Sequence, residues 1–374
     1  MKTKLLLTAI IGILLFGCQK ESVDPVEIFL SNRTFQLSNV DHIAFTNDRG
    51  MLLSGYADDK YTLIKTDAAL NVEWSRNNYD WGKRIFGSGW GSPFYAFELV
   101  KAFQLSDGKY VCIGSIHEGG DVIFSSALVV VLNSNGDQLQ QFRFDNLAVS
   151  NALQTTDGYL LFGNKLVKLD KNFSKQWSRD LYDTQYFPTQ VVATSDGGYA
   201  VTGSYKGEQL FLKKLDAAGR ELWSRTYKHN EFPFEEAGYD LIQLDDKGYL
   251  VAGRTGRTMV PNVVDCQIVR TDAAGDTLWT KRFGYATNNW LEHIVSSSQS
   301  NEFILQGTIG FPNEDQKSLL IKITAEGQIV DSTTVDKFQI IARTPLNVYL
   351  KARRIDETHT GLLMMEAGNL FGKK

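Results

Sequence analysis

The sequence predicts an all-β fold, a β-propeller of seven four-stranded blades closed by the N-terminal strand. Three observations carry this. One segment pattern returns at a period of about 50 residues along most of the chain. Each copy divides into four short apolar runs with period-two alternation. Gly- and Asp-rich turns separate the runs. Four-stranded units at this period are propeller blades, since each sheet buries its faces only against a neighbouring copy.

The chain opens Met1-Lys2-Thr3-Lys4, runs apolar from Leu5 to Phe16, and reaches Leu15-Phe16-Gly17-Cys18. A charged start, an apolar run and a small residue before the cut make residues 1–17 a secretory leader. The run is too short to span about 30 Å of hydrocarbon. Leu-x-Gly-Cys resembles the bacterial lipobox, which implies that Cys18 is diacylated and begins the mature chain. Each buried acyl methylene then adds about 0.8 kcal/mol of membrane affinity. Gln19-Lys20-Glu21-Ser22 resembles the Gln-Lys-acidic signal of Bacteroidota lipoproteins, which implies export to the outer face of the outer membrane. Residues 18–27 are the tether, and 28–374 form a single propeller domain.

Within that domain, Ile28 to Leu37 supplies one strand. The clearest copy follows as Thr194-Ser195-Asp196-Gly197-Gly198-Tyr199, then Leu215-Asp216-Ala217-Ala218-Gly219, then Leu222-Trp223-Ser224-Arg225. A second has Asp246, Gly248 and Tyr249, then Asp272 and Gly275, then Trp279. Others centre on Gly50 with Asp67 and Trp74, on Asp107 with Gly136, on Asp157 with Asp170 and Trp177, and on Gly307 with Gly327. Pro93, Pro188, Pro233, Pro261 and Pro312 fall between expected strands, where no ladder N–H is lost. Phe338 to Glu366 holds only three strand-like runs, so the N-terminal strand completes the seventh blade and removes a free sheet edge. An eighth blade would need residues 77–96, a stretch too rich in Gly. The repeat resembles the Asp-Gly-Gly-Tyr, Leu-Asp-x-x-Gly, Trp propeller repeats of bacterial secreted and lipid-anchored proteins, and more distantly the pyrroloquinoline-quinone-type repeat of outer-membrane assembly scaffolds. Thr194-x-Asp196-x-Gly198 is also similar to the sialidase Asp-box, itself a structural motif.

Composition narrows the function classes. The formal charge of -4, from 39 basic and 43 acidic side chains, argues against nucleic acid as a partner. Cys112 and Cys266 sit in apolar runs as buried thiols. The histidines His42, His117, His229, His293 and His359 pair with no cysteine, so no metal spacing is present. No nucleophile elbow or phosphate loop appears, and no cofactor is expected. The adjacent Glu235 and Glu236 point opposite ways if extended and cannot alone be a glycosidase pair.

In such a blade the Asp-Gly and Asp-x-x-Gly turns share one face, so the long connections, 77–96, 116–125, 228–238, 254–265, 284–292 and 309–317, share the other. Trp74, Trp177, Trp223 and Trp279 hold the repeat position and pack blades together. Trp81, Trp90, Tyr95, Phe234 and Trp290, with Arg254 and Arg257, lie in or beside the long connections. Loop aromatics suit a protein contact or sugar stacking, or they fold back over their own loops. Arg76, Arg179, Arg225 and Lys281, two residues after each repeat Trp, read as solvated edge charges. The leading expectation is a non-catalytic surface lipoprotein docking on an outer-membrane protein complex through the long-connection face. The alternative is a protein that binds or processes surface glycan.

Overall fold

A computed structural model describes residues 33–37, 39–57, 60–82, 85–86, 94–119, 123–181, 185–228, 236–256, 264–284, 288–296, 302–310, 316–336, 339–343, 349–354 and 362–368. The chain is an all-β propeller in which four strands of each sheet run in sequence order from the inside outward, save that β1 supplies the outer strand of the last sheet and the two-residue β6 is added beside the start of β7. β1 (Arg33–Gln36) comes first. β2 (Asn39–Phe45), β3 (Met51–Ala57), β4 (Lys60–Thr66) and β5 (Val72–Arg76) form one sheet. The next has β6 (Ile85–Phe86), β7 (Phe94–Gln104), β8 (Tyr110–Gly119), β9 (Ile123–Leu132) and β10 (Gln138–Asp145). Three further sheets are β11 (Val149–Thr155), β12 (Gly158–Gly163), β13 (Leu166–Asp170) and β14 (Lys175–Arg179); β15 (Tyr186–Ala193), β16 (Tyr199–Tyr205), β17 (Gln209–Leu215) and β18 (Glu221–Tyr227); and β19 (Ala237–Gln243), β20 (Tyr249–Gly256), β21 (Val264–Thr271) and β22 (Thr277–Phe283). Then come β23 (Asn289–Ser296), β24 (Glu302–Ile309), β25 (Lys317–Thr324) and β26 (Ile329–Asp336), and finally β27 (Gln339–Arg343), β28 (Tyr349–Arg354) and β29 (Leu362–Gly368), against which β1 pairs antiparallel.

The core lies between consecutive sheets. Alternate residues of one strand therefore enter different clusters: Cys112 packs toward β3 and β4, while Val111 and Ile113 pack toward β12 and β13. With both faces covered, the middle strands read as continuous apolar runs, such as Leu160-Leu161-Phe162.

Each repeat residue has a mechanical role. Asp67, Asp170, Asp216 and Asp272 each accept two backbone N–H groups through Oδ1, closing the turn between the third and fourth strands. Asn133 does the same in the second sheet, and Thr324 Oγ1 in the sixth. The turn ends at positive φ, +82° at Gly275, and that glycine receives the repeat Trp of the preceding sheet. A Cβ there would stand 2.7 Å from Trp223 Cζ3. Trp74 meets Gly136, Trp177 meets Gly219 and Trp279 meets Gly327 in the same way. The repeat Trp thus staples one sheet to the next.

Two expectations change here. Arg76 and Arg225 do not simply face water: their Nε atoms reach Asp137 and Asp276 of the following sheet at 3.3 and 3.4 Å. Both lie over their own Trp rings. Pro188 is inside β15 rather than between strands, tolerated because β15 is an edge strand with a partner on one side only. Pro93, Pro233, Pro261 and Pro312 lie outside the described residues.

A buried cation is a further repeat feature. Lys65, Lys168, Lys214 and Arg270, two residues before the turn Asp, are buried and reach the Asp of the turn between the first and second strands: Asp48 at 2.7 Å, Asp157 at 2.7 Å, Asp196 at 2.9 Å, and Asp246. Each also donates to a backbone carbonyl one residue on. The turn glycine makes the room, since a Cβ on Gly198 would lie 2.5 Å from Lys214 Nζ. Burying a cation is favourable only with such full hydrogen bonding.

Candidate functional site

Antiparallel pairing puts the connections from first to second and from third to fourth strands at one end of every sheet, and the remaining connections at the other. The short end is closed by its own turns. The opposite end holds the long connections and the residues that the sequence singles out.

Trp81 is not a surface residue. It is 3% exposed and sits in the core, stacked on Tyr79 with centroids 4.5 Å apart and edge-on to Phe97. Its Nε1 donates to Gln138 Oε1 at 2.6 Å. The short turn Asp80–Gly82 folds the loop back onto the sheet, so neither face of the indole is open to a ligand. Trp290 is half-buried on β23 and donates from Nε1 to Glu292 Oε1 at 2.8 Å, an oxygen that also accepts from Thr308 Oγ1. Arg254, on β20, lies 5.6 Å over the Tyr239 ring. Tyr95 is in β7, paired with Ile85 and Glu118, but its side chain lies outside the described residues, as do Trp90, Phe234, Arg257 and Cys18. Glu236 is buried and accepts from Thr255 Oγ1 at 3.0 Å, whereas Glu235 lies outside the description. Cys112 and Cys266 are buried free thiols. Burial pushes Cys112 up to about 12 and Cys266 higher still.

A second cluster lies on the axis. The innermost strands β2, β7, β11, β15, β19 and β23 follow one another in contact around it. Each breaks register with its neighbour at the same level. The breaks fall at Val40/His42, Leu99/Lys101, Val149/Asn151, Pro188/Gln190, Gly238/Asp240 and Leu291/His293. β27 has its own break between Ile340 and Arg343. The cause is the glycine of each second strand: at Gly163, Gly203, Gly253 and Gly307 a Cβ would fall 1.6 to 2.2 Å from the carbonyl oxygen of the first strand. Such bulges re-aim the side chain that follows.

The re-aimed residues are His42, Lys101, Asn151, Gln190, Asp240 and His293, and they interact around the axis. Asn151 Nδ2 donates to Gln190 Oε1, and Gln190 Nε2 to Asp240 Oδ1 at 3.3 Å. Asp240 also accepts the N–H of Leu241 at 2.9 Å and that of Ile294 at 2.8 Å. Burial raises the Asp240 carboxyl above its ordinary range against these donors and the nearby His293. Lys101 is held below its usual value by desolvation, partly offset by attraction to Asp240. His42 is lowered to about 3, chiefly by burial and then by Lys101, so its imidazole is neutral at pH 7. Among the described residues, Lys101 Nζ and the ring nitrogens of His42 and His293 have no hydrogen-bond partner.

In the sequence His42 and His293 stand out only as histidines without metal spacing, and the other four do not stand out at all. A signal existed: each ring residue stands 12 to 14 residues ahead of the glycine of the second strand, from His42 before Gly55 to His293 before Gly307. No group of His, Cys, Asp and Glu that could hold a metal ion occurs among the described residues, and none of their helices is long and apolar enough to cross a membrane.

No protein-family model matches the chain, and no curated protein resembles it in sequence. Solved structures do resemble it in fold. The Dos1 propeller superposes with a TM-score of 0.51 at 11% identity, covering 90% of this chain and 80% of that one. Drosophila Plexin A, solved in complex with Semaphorin 1b, gives 0.51 at 8% identity, covering 90% and 86%. A quinonprotein alcohol dehydrogenase-like protein from Bacteroides thetaiotaomicron gives 0.46 at 11% identity, covering 79% and 65%. At these identities the likeness is one of fold alone.

Proposed function

We propose that the protein is a non-catalytic, seven-bladed scaffold, anchored to the outer membrane through acylated Cys18 and exposed at the cell surface, that docks on a membrane protein assembly through its long-connection face. The observation that carries the docking reading is the asymmetry of the two ends of the sheets. At the short end the described turns spend polar groups within the blades and on the neighbouring sheet: Asp216 and Asp272 on turn N–H groups, Asp157 and Asp196 on the buried cations, Asp137 and Asp276 on Arg76 and Arg225. At the other end lie the long connections, with Trp290 half-buried and Arg254 beside Tyr239.

The seven-blade count is supported by six four-stranded sheets and one of five strands, with β1 completing the sheet of β27, β28 and β29. The direction of β1 fits the anchor. Gln36 pairs with Leu362, where β29 begins at the long-connection end, so β1 enters the sheet from the short-turn end. A tether entering there turns the long-connection face away from the lipid. Residues 18–32 reach about 50 Å at most when extended, which keeps the disc near the bilayer without pressing it there. The glycan alternative loses one of its three indoles, because Trp81 is in the core.

Photocrosslinking side chains at Arg254 and Trp290, compared with one at Lys247 in a short turn, test this reading in intact cells. The expected result is one crosslinked membrane protein from the first two positions and none from the third. Equal crosslinking from both ends would overturn it. Cys18→Ser should abolish palmitate incorporation and release the protein from the membrane.

A further inference from the structure

The axial ring has unused chemistry that docking through the loops does not employ. On one arc stand Lys101 and His42, a neutral imidazole; among the described residues neither the Lys101 ammonium nor the His42 ring nitrogens have a hydrogen-bond partner. Farther round are Asp240 and His293, with Gln190 bonded to Asp240 and Asn151 bonded to Gln190. Lys101 and Asp240 are close enough to interact electrostatically, yet they form no ion pair. The two groups stand on β7 and β19 with β11 and β15 between them, each partly stripped of water. Strand geometry enforces the separation, because the register breaks of β2, β7, β11, β15, β19 and β23 sit at one level and fix where each of these side chains enters.

A lone anion would satisfy Lys101 but add repulsion with Asp240, and a lone cation would do the reverse. A molecule with both charges satisfies both walls and adds no net charge to the described ring residues. We propose that the axial ring is a binding site for a small zwitterion, an amino acid whose carboxylate lies against Lys101 and His42 and whose ammonium lies against Asp240. The amides of Asn151 and Gln190 line the wall between the two ends. Each charged end replaces water with charge-assisted hydrogen bonds in a half-buried setting, where such bonds are strongest. The ring opens toward the long-connection end, a few residues inside the starts of the first strands, but its ligand is a small molecule and needs no protein partner, so the docking reading can fail while this one stands.

The test is thermal and calorimetric titration of the purified soluble chain lacking residues 1–18, with glycine, β-alanine and γ-aminobutyrate as zwitterions of increasing span. Acetate and methylammonium serve as single-charge controls. One zwitterion should raise the melting temperature in a saturable manner and bind at least about tenfold more tightly than either control, the scale of one lost charged hydrogen bond. Lys101→Met and Asp240→Asn should each weaken that binding by about tenfold or more, while Lys247→Met leaves it unchanged. Circular dichroism of both ring variants checks that the propeller is intact. If either variant fails to fold, Lys101→Arg, which keeps the charge but changes the reach, should bind with altered span preference. Absence of saturable binding by all three zwitterions would overturn the proposal. So would acetate binding as tightly as the best of them with Asp240→Asn silent, since that describes an anion seat only.

Discussion

Replacing Gly275 by Ala probes the staple between sheets most sharply, because Gly197 supplies an internal control. Both glycines have φ of +82° and both end a tight turn. A Cβ at Gly197 meets nothing within 4 Å, whereas at Gly275 it would stand 2.7 Å from Trp223 Cζ3 and 3.1 Å from Arg225 Cγ. The left-handed backbone alone costs an L-residue about 1–2 kcal/mol, which sets the expected loss for Gly197→Ala. Gly275→Ala carries the same strain plus overpacking against a ring that has little room to move, about 1–3 kcal/mol more. The total is about 2–5 kcal/mol. Equilibrium urea unfolding of the two variants, read at unchanged m, measures the difference. Shortening the ring with Trp223→Leu should remove the excess cost of Gly275→Ala in a double-mutant cycle and leave the strain common to both. If Gly275→Ala costs no more than Gly197→Ala, or if the excess persists in the Trp223→Leu background, the repeat Trp does not staple sheets together.

Trp81→Ala should destabilise by about 3–5 kcal/mol, as loss of a buried aromatic does, without changing capture of a partner; unfolding and capture assays on the same preparation separate the two. Asp196 is raised by burial but held down to about 2, from 3.8, by hydrogen bonds from Thr194 and Lys214 and by the Lys214 charge. Its stabilisation is thus present above pH 3.8 and lost as pH falls through about 2. Acid titration of Asp196→Asn should show a flatter fall in stability over that window than wild type. Cys112, with its thiol raised to about 12 by burial, should resist a thiol reagent in the folded protein and react once urea unfolds it, as mass spectrometry would record.

The propeller was legible because the repeat records local necessities. Asp216 and Asp272 are needed to bind their own turn N–H groups, Gly275 to take positive φ beneath an indole, and the apolar runs to cover both faces of a sheet. Each is visible within a dozen residues. The ring residues escaped notice because their placement depends on a register break against a distant glycine, and their side chains share no chemistry: His42, Lys101, Asn151, Gln190, Asp240 and His293 are linked by position only. For Trp81 the fold-back alternative holds, for a related reason. An indole in a Gly-rich loop looks available, and only the tertiary contact of Asp80–Gly82 with Tyr61 and Phe97 shows it turned inward. The buried Lys214 is not singled out by the repeat, since its partner Asp196 lies 18 residues away.

The central claim is that this propeller presents its long-connection face to a membrane partner. The most direct measurement is recovery of the tagged, lipidated protein from gently solubilised outer membranes, with mass spectrometry of what stays bound, for wild type and for a variant carrying Arg254→Ala and Trp290→Ala. The account predicts one membrane protein in stoichiometric amount with wild type and its loss from the variant at unchanged stability. Recovery of the wild-type protein alone, or a partner that the variant retains in full, would contradict it.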